Sequence, residues 1–289
     1  MSALRIGELS RRSGVSPELL RAWERRYGLL QPSRTAGGLR LYTADDLARV
    51  QAMQQRLAEG FAAAEAAALA TRDGEITSPA AKDELTAALS SFDDGAAHAV
   101  FDNLLARFSI DMLLRDVVIP YLHELGDQWE RGEVSIAQEH FASSLLRGRL
   151  LGLARGWGQG IGPAVVLACP PGEQHDLGLI AFGLALRARG WRIVYLGGDT
   201  PLASVEEAVE SCDPAVVVVS AVDPRAFRRC TGELEQLSRK TRLCLAGAGA
   251  GKTRLAIDAL KLTGDPVSEA EQITQTHRAS VVGGSQTRS

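Results

Sequence analysis

Four short apolar runs in the second half of the chain constrain its fold more than any other feature. Between positions 164 and 249 the runs AVVLAC, RIVYLGG, AVVVVSA and LCLAGAG alternate with helical stretches such as LGLIAFGLALRARG and LASVEEAVESC. Continuous apolar runs of this length are typical of strands buried on both faces of a parallel sheet. The alternation therefore predicts a doubly wound, Rossmann-like α/β domain over residues 160–280, which binds ligands at the carboxyl ends of its strands.

The loop after the first predicted strand, PPGEQHDLGL at 170–179, places His175 between Glu173 and Asp176. The histidine has three possible roles: a general base, a solvated loop residue, or a metal ligand whose second ring nitrogen is held by one of the two carboxylates. No serine or cysteine nucleophile stands beside it, and Ser220, at the end of the third strand, lacks a GxSxG setting. Spacing alone leaves the three roles open.

The middle of the chain, residues 80–158, carries four amphipathic helical patterns with short joints, which predict an antiparallel four-helix bundle. Gly132 is expected to end one helix, and SIAQ at 135–138 has the spacing of a capping box that starts the next. Spacing alone favours ordinary packing or helix-start roles for the side chains around this joint. Four of them come to the same end of the bundle: Trp129, Ile136, Glu139 and His140.

The N-terminus is basic, since residues 1–49 hold nine arginines against five acidic residues, whereas the whole chain has a formal net charge of −3. Its sequence RIGELSRRSGVSPELLRAWERRYGLL predicts two short helices with a bend at Gly14 and a capped start at Ser16. PSRTAGGLRLY follows as a hairpin that turns at Gly37 and Gly38. This helix-turn-helix and its flanking arginines suit DNA phosphate contacts, the alternative being an arginine-rich solvated surface.

Residues 4–50 resemble the winged-helix DNA-binding domain of the MerR family of transcription regulators, through the order helix-turn-helix, RAWERR, RTAGGLRLY and TADDL. The resemblance implies a DNA-binding domain over residues 1–72 and double-stranded operator DNA as partner. The residues that it implies for this contact are Arg21, Trp23, Arg25, Arg26, Arg34, Arg40 and Tyr42. The chain lacks the cysteine cluster of MerR-type metal sensors, and its four dispersed cysteines are expected to be structural, reduced thiols.

A second resemblance covers the α/β region. The strings EQHDLG, LGGDTP and AGAGAG, with Ser220, are similar to the cobalamin-binding domain of methionine synthase and B12-dependent mutases. It implies that His175 is the lower axial ligand of cobalt, that Ser220 meets the displaced base, and that glycines accommodate the nucleotide tail. Those glycines are Gly178, Gly247 and Gly249. The sequence departs from the motifs at Glu173, which replaces Asp, at Val222, which replaces Leu, and at Ala248, which splits the glycine pair.

The chain carries both resemblances, joined by a bundle that contains W-x9-EH. In this combination it resembles the CarH and LitR type of B12-dependent photoreceptor repressors. That family resemblance implies adenosylcobalamin as cofactor, with Trp129, Ile136, Glu139 and His140 packed over its adenosyl group. It implies a homo-oligomer, a tetramer in the dark, that binds operator DNA and dissociates when light breaks the Co–C bond. Some members have a histidine after the tryptophan; here that residue is Glu130, which leaves His123 or His140 as light-state ligands.

Two other functions are weighed against this one. A B12-dependent enzyme needs a substrate barrel of roughly 200 residues, for which no sequence remains, so we expect no catalytic activity. A MerR-type repressor independent of B12 and light would use the α/β domain for oligomerisation or another ligand. Apolar runs too short for a membrane span and a start without signal-peptide character predict a cytoplasmic protein. About ten residues at the C-terminus are expected to be disordered.

Overall fold

A computed structural model describes residues 4–34, 38–73 and 78–286. The chain separates into two compact units, Met1–Val118 and Ile119–Ser289. Both are built around apolar cores.

The first unit begins with the predicted helix-turn-helix, α1 (Ile6–Ser13) and α2 (Pro17–Tyr27). Gly14 provides the bend with φ of 71°, and the Ser16 hydroxyl accepts a hydrogen bond from the backbone N of Leu19 at 3.3 Å. The strands β1 (Ser33–Arg34) and β2 (Arg40–Leu41) pair antiparallel as the wing. Gly37, the first residue predicted for the wing turn, lies outside the described residues. The helices α3 (Ala44–Ala58) and α4 (Ala63–Asp73) follow.

The first unit ends in helices that the sequence assigned to the bundle: α5 (Ser78–Ser90), α6 (Asp94–Arg107) and α7 (Ile110–Met112), which leads into a π-helix over Leu113–Val118. The π-helix stands directly before Pro120, whose ring nitrogen has no hydrogen to donate to an α-type bond. A wider turn at this point is the usual way a helix absorbs such an interruption.

The second unit begins with α8 (Ile119–Glu130) and α9 (Ile136–Gly152). The predicted joint between them is confirmed. Gly132 has a φ of 72°, and Ser135 and Gln138 form a capping box, in which the Gln138 backbone N donates to Ser135 Oγ at 3.2 Å and the Ser135 backbone N donates to Gln138 Oε1 at 3.3 Å. The two reciprocal hydrogen bonds fix where α9 starts.

The α/β part of this unit confirms the predicted parallel sheet and adds one strand. Its strands are β3 (Ala164–Ala168), β4 (Arg192–Gly197), β5 (Val216–Ser220), β6 (Leu243–Ala246) and β7 (Ala259–Leu262). They are all parallel, in the order β4-β3-β5-β6-β7. The connecting helices are α10 (Leu177–Ala188), α11 (Leu202–Cys212), α12 (Pro224–Arg229), α13 (Thr231–Lys240) and α14 (Ala248–Lys252).

The C-terminal segment differs from the expectation of disorder. It forms α15 (Pro266–Gln286), which packs on α10. Trp191 Nε1 donates to Thr274 Oγ1 at 3.0 Å, and Arg189 pairs with Glu271 at 2.7 Å. These tertiary contacts account for a helix that the composition of the segment does not indicate, and only 287–289 lie beyond it outside the described residues.

The cysteines are free thiols, as predicted, and three of the four are buried. Burial raises the pKa of Cys169 to about 12 and that of Cys230 and Cys244 to about 11. Among the described residues, no helix combines the length and apolar character needed to cross a bilayer.

Candidate functional site

The sheet has its topological switch point between β3 and β5, since the chain leaves β3 for β4 on one side and later returns to β5 on the other. Loops that follow these two strands diverge there and leave a crevice at the carboxyl edge, which is the usual ligand position in such sheets. The loop after β3 carries His175, and Ser220 is the last residue of β5. The fold therefore brings both candidate residues to the same edge.

Glu173 connects these two loops. Its Oε1 accepts hydrogen bonds from His175 Nδ1 at 2.6 Å and from the His175 backbone N at 2.9 Å. Its Oε2 accepts from the backbone N of Val222 at 2.8 Å and of Asp223 at 3.3 Å. Burial by itself would raise the pKa of this carboxyl, but the four hydrogen bonds outweigh it and lower the pKa to about 2. Glu173 is thus an ionised, nearly inaccessible anchor for the imidazole.

His175 is held through one nitrogen and exposed through the rest of its ring, since its side chain is 73% exposed. The hydrogen bond to Glu173 raises the pKa of His175; burial opposes this, and the charges of Glu139 and Asp176 add to it. Because Nδ1 faces an ionised carboxylate, it carries the proton of the neutral ring and Nε2 keeps a lone pair. Nε2 has no hydrogen-bond partner among residues 4–34, 38–73 and 78–286. This arrangement suits a metal ligand.

The loop that carries His175 is also fixed to the end of β4. The backbone N of Gly172 donates to Asp199 Oδ1 at 2.7 Å, and the backbone N of Asp199 donates to the carbonyl of Glu173, also at 2.7 Å. Asp199 adopts a φ of 50°, which non-glycine residues adopt infrequently. The position of the loop is therefore defined from both neighbouring strands.

The carboxylate of Asp176 does not hold the ring of His175, although the spacing in the sequence allowed that contact. Its carboxylate accepts from Arg147 Nε at 3.0 and 2.8 Å and from the Tyr195 hydroxyl at 2.5 Å. Burial and the hydrogen bond to Asp176 raise the pKa of Tyr195. Arg147 lies on α9, 29 residues before its partner, and Tyr195 lies on β4. Neither residue stands in a motif, so neither can be recognised from the sequence.

The joint between α8 and α9 presents apolar and polar side chains to solvent. Trp129 is 50% exposed and Ile136 is 64% exposed. The side chain of His140 is 73% exposed, and Glu139 accepts a hydrogen bond from Ser143 Oγ at 2.5 Å. An indole and an isoleucine exposed together indicate a surface that a ligand or partner covers. Glu139, in the first turn of α9, also contributes to raising the pKa of His175 through its charge.

The glycines and Ser220 form the remaining part of the crevice. Ser220 is 7% exposed, and its hydroxyl makes no hydrogen bond within the part of the chain that the structure describes. A Cβ on Gly247 would lie 2.7 Å from the carbonyl oxygen of Ala221 and 3.1 Å from Ser220 Oγ. A Cβ on Gly249 would lie 2.8 Å from the same carbonyl, whereas Gly178 faces open space. The unpaired Ser220 hydroxyl suits a hydrogen bond to the tail of a cobalamin, while Gly247 and Gly249 permit the close backbone approach between the loops after β5 and β6.

The candidate DNA-binding residues fall into two groups. On α2, Arg21, Arg25 and Arg26 are exposed. The side chain of Arg40 on the wing is 41% exposed and pairs with Glu24 at 3.0 Å. The side chain of Arg34 lies outside the described residues.

Trp23 and Tyr42 correct the prediction of DNA contact, because the structure places both in the core of the first unit, 6% and 0% exposed. The Tyr42 hydroxyl donates to Glu24 Oε2 at 2.9 Å. Burial, followed by that hydrogen bond, raises the pKa of Tyr42 to about 12. Their positions give them a packing role beneath the exposed arginines and leave little surface for a direct contact with DNA.

Comparisons with known proteins match three stretches of the chain to family models. Residues 4–72 match the MerR HTH family of regulatory proteins, and residues 81–151 and 163–271 match two B12 binding domain families. Among solved structures, the Methanosarcina barkeri monomethylamine corrinoid protein superposes with a TM-score of 0.55 at 18% identity, over 68% of this chain and 98% of that chain. At this identity the match shows a shared fold.

Two curated relatives from Myxococcus xanthus extend over most of the chain. The HTH-type transcriptional repressor CarH is 34% identical over 77% of this chain and 80% of its own length. The HTH-type transcriptional repressor CarA is 31% identical over 82% of each. The fold is thus a MerR-type helix-turn-helix, a helical bundle and a Rossmann-like cobalamin-binding domain, and the activity is regulatory rather than enzymatic. The chain belongs to the family of CarH and CarA, the B12-dependent transcriptional repressors of the MerR type.

Proposed function

We propose that this repressor is a light sensor that works in the cytoplasm with adenosylcobalamin, and that His175 is the lower axial ligand of its cobalt. In the dark the loaded protein binds operator DNA as an oligomer, a homotetramer, and illumination releases it. The observation that carries the proposal is the ionised Glu173, which holds His175 by Nδ1 and leaves Nε2 available on a largely exposed ring.

The residues of the α/β part bind and orient the cofactor from below. Glu173 keeps a proton on Nδ1 of His175, so that Nε2 donates its lone pair to the metal. Ser220 offers its unpaired hydroxyl to the displaced base. Gly178, whose Cβ position faces open space, leaves room for the nucleotide tail, and Gly247 and Gly249 permit the close backbone packing that holds the Ser220 loop in place.

The residues at the α8–α9 joint cover the upper face. Trp129 and Ile136 lose exposed apolar surface when the adenosyl group packs on them, which favours the bound state by about 25 cal/mol per Å². Glu139 and His140 supply polar partners for the ribose and the adenine. When bound, adenosylcobalamin would supply a weak cobalt–carbon bond that visible light breaks, and Trp129 and Ile136 would then be exposed again.

DNA binding follows from the exposed arginines of α2 and the wing. Each module contributes a few phosphate contacts, and an oligomer links several modules on one operator, so avidity exceeds the affinity of one module. Dissociation of the oligomer therefore lowers operator occupancy without any change inside the DNA-binding domain.

The test is to purify the full chain in darkness with adenosylcobalamin and to measure three properties before and after green illumination: absorbance, mass by sizing chromatography, and retention of operator DNA. We expect a coloured complex whose mass and DNA retention fall on illumination. A protein that retains DNA equally with and without cofactor, and in light and darkness, would instead be the repressor that acts independently of B12.

A further inference from the structure

An ion pair joins α9 to the loop that carries His175. Arg147 Nε contacts both carboxylate oxygens of Asp176, at 3.0 and 2.8 Å, and its Nη2 lies 2.7 Å from Oδ2. The side chain of Asp176 is 3% exposed and that of Arg147 is 47% exposed. Bidentate pairs of this type restrict both distance and direction. Because Asp176 follows His175 directly in the chain, the pair fixes the position of the candidate ligand relative to α9.

Three polar residues of α9 face the same way. Glu139, Ser143 and Arg147 are spaced by four residues, which places them along one face of the helix. Ser143 Oγ donates to Glu139, and Glu139 lies close enough to His175 to act on it electrostatically. The first turn of this face therefore carries a charge that acts on His175, and its third turn is bonded to Asp176.

Tyr195 supports the same carboxylate from the sheet. Its hydroxyl donates to Asp176 Oδ2 at 2.5 Å, and its ring makes an edge-on contact with Trp157, with ring centroids 5.5 Å apart at 75°. Asp176 thus has one partner on α9 and one on β4. Removal of Arg147 leaves the buried carboxylate with Tyr195 alone, which no longer ties the loop to α9.

We propose that Arg147 is a positioning residue that sets the separation between His175 and the start of α9, and thereby selects the upper axial ligand that the site accepts. This inference rests on the ligation by His175 in the proposed function. A fixed separation favours a corrinoid whose upper group fills the space under Trp129 and Ile136. If the separation is no longer fixed, the preference for this corrinoid is lost, while the imidazole still reaches the metal.

The test compares dark dissociation constants for adenosylcobalamin and hydroxocobalamin in the full chain and in Arg147→Met, Arg147→Lys and Arg239→Gln. Loss of a residue that orients a ligand costs about 10- to 100-fold in metal affinity. We expect a loss of this size for adenosylcobalamin in Arg147→Met and a smaller one for hydroxocobalamin. Arg147→Lys should recover part of the preference. Arg239, paired with Glu235 on the exposed face of α13, serves as the matched control and should change neither constant.

The preference ratio and the absorption spectrum of the bound corrinoid separate positioning from simple stability. Equal losses for both corrinoids in Arg147→Met, with a wild-type spectrum, would overturn the inference even if the melting temperature falls. If Arg147→Met does not fold, Arg147→Lys carries the test, because it keeps the charge but not the bidentate contact with Asp176, and a wild-type preference ratio in that variant overturns the inference. The two proposals can also fail separately. If the wild-type chain binds adenosylcobalamin but does not respond to light, while the preference for adenosylcobalamin over hydroxocobalamin still falls in Arg147→Met, only the proposed function is contradicted.

Discussion

Glu173 binds His175 twice, through the ring Nδ1 at 2.6 Å and through the backbone N at 2.9 Å, both on the same carboxylate oxygen. The second oxygen is bonded to the loop after β5. One glutamate side chain therefore connects both loops. The ring orientation is therefore built into the protein before any ligand binds.

Replacing Glu173 with glutamine tests this anchor. The amide keeps the shape but offers one acceptor where four donors converge, so the imidazole loses its fixed orientation. We expect corrinoid affinity to fall by about 10- to 100-fold, measured by titration with absorbance detection. Glu235→Gln, on the exposed face of α13, is the control that should leave affinity unchanged.

Replacing His175 with alanine removes the proposed ligand itself. The prediction is weaker cobalamin binding together with an altered absorption spectrum, because the lower axial nitrogen is gone. His98→Ala, on α6 of the other unit, should leave both unchanged. The ligand assignment is wrong if His175→Ala binds the corrinoid with wild-type affinity and spectrum.

The sequence predicts the sheet better than it predicts the site. Apolar runs such as AVVVVSA identify buried strands because burial on both faces demands continuous hydrophobicity. Strand β7 is not predicted by continuous hydrophobicity, since Leu260 and Lys261 at its centre are exposed. Helix α15 is not predicted either, because Trp191 and other tertiary partners stabilise it rather than its own periodicity.

Within the site, the sequence indicates contacts between residues that are close in the chain but not contacts between residues that are distant in it. Glu173 and His175 are two residues apart, so spacing already proposes their contact. Arg147 and Asp176 are 29 residues apart in different elements, and nothing in either neighbourhood indicates the pair. Trp23 and Tyr42 show the reverse problem, because they stand in a DNA-binding motif but pack in the core.

Gly249→Ala should destabilise the second unit. Its Cβ would lie 2.8 Å from the Ala221 carbonyl oxygen and 3.0 Å from the nitrogen of Pro224, both backbone atoms that cannot move independently. Overpacking of this kind costs about 1–3 kcal/mol of unfolding free energy, measurable by urea denaturation. Gly232→Ala is the matched control, since its Cβ meets no atom within 4 Å inside α13, where alanine favours the helix by roughly 1 kcal/mol. Equal effects of the two changes would contradict the close approach at Gly249.

Arg25→Ala and Arg26→Ala test the DNA-binding surface. If each guanidinium contacts one phosphate, each change should weaken binding to all sequences alike and reduce the slope of log affinity against log salt by about 0.9. The measurement is fluorescence anisotropy with an operator and with a scrambled duplex at several salt concentrations. A slope that stays at the wild-type value would show that the arginine lies away from the DNA.

Acid should destabilise the first unit through Asp46, which is fully buried. Burial by itself would raise the pKa of this carboxyl, but hydrogen bonds from the backbone N of Gln31 and of Thr43, and from Arg49, outweigh it and lower the pKa. A carboxyl whose folded pKa lies below its unfolded pKa binds its proton more tightly in the unfolded chain. Its contribution to stability is therefore complete above about pH 4, the ordinary range for aspartate, and is lost as the pH falls through the folded value.

Calorimetry of the full chain between pH 3 and pH 7 checks this. Asp46→Asn should lower one unfolding transition at pH 7, because the amide cannot accept all the hydrogen bonds that converge on the carboxylate, with a cost of about 1–3 kcal/mol. The same transition should then depend less on pH below 4 than it does in the wild-type chain. Glu235→Gln, at an exposed position, should shift neither transition. If the wild-type chain and Asp46→Asn lose stability in parallel on acidification, another group carries the acid sensitivity of the unit.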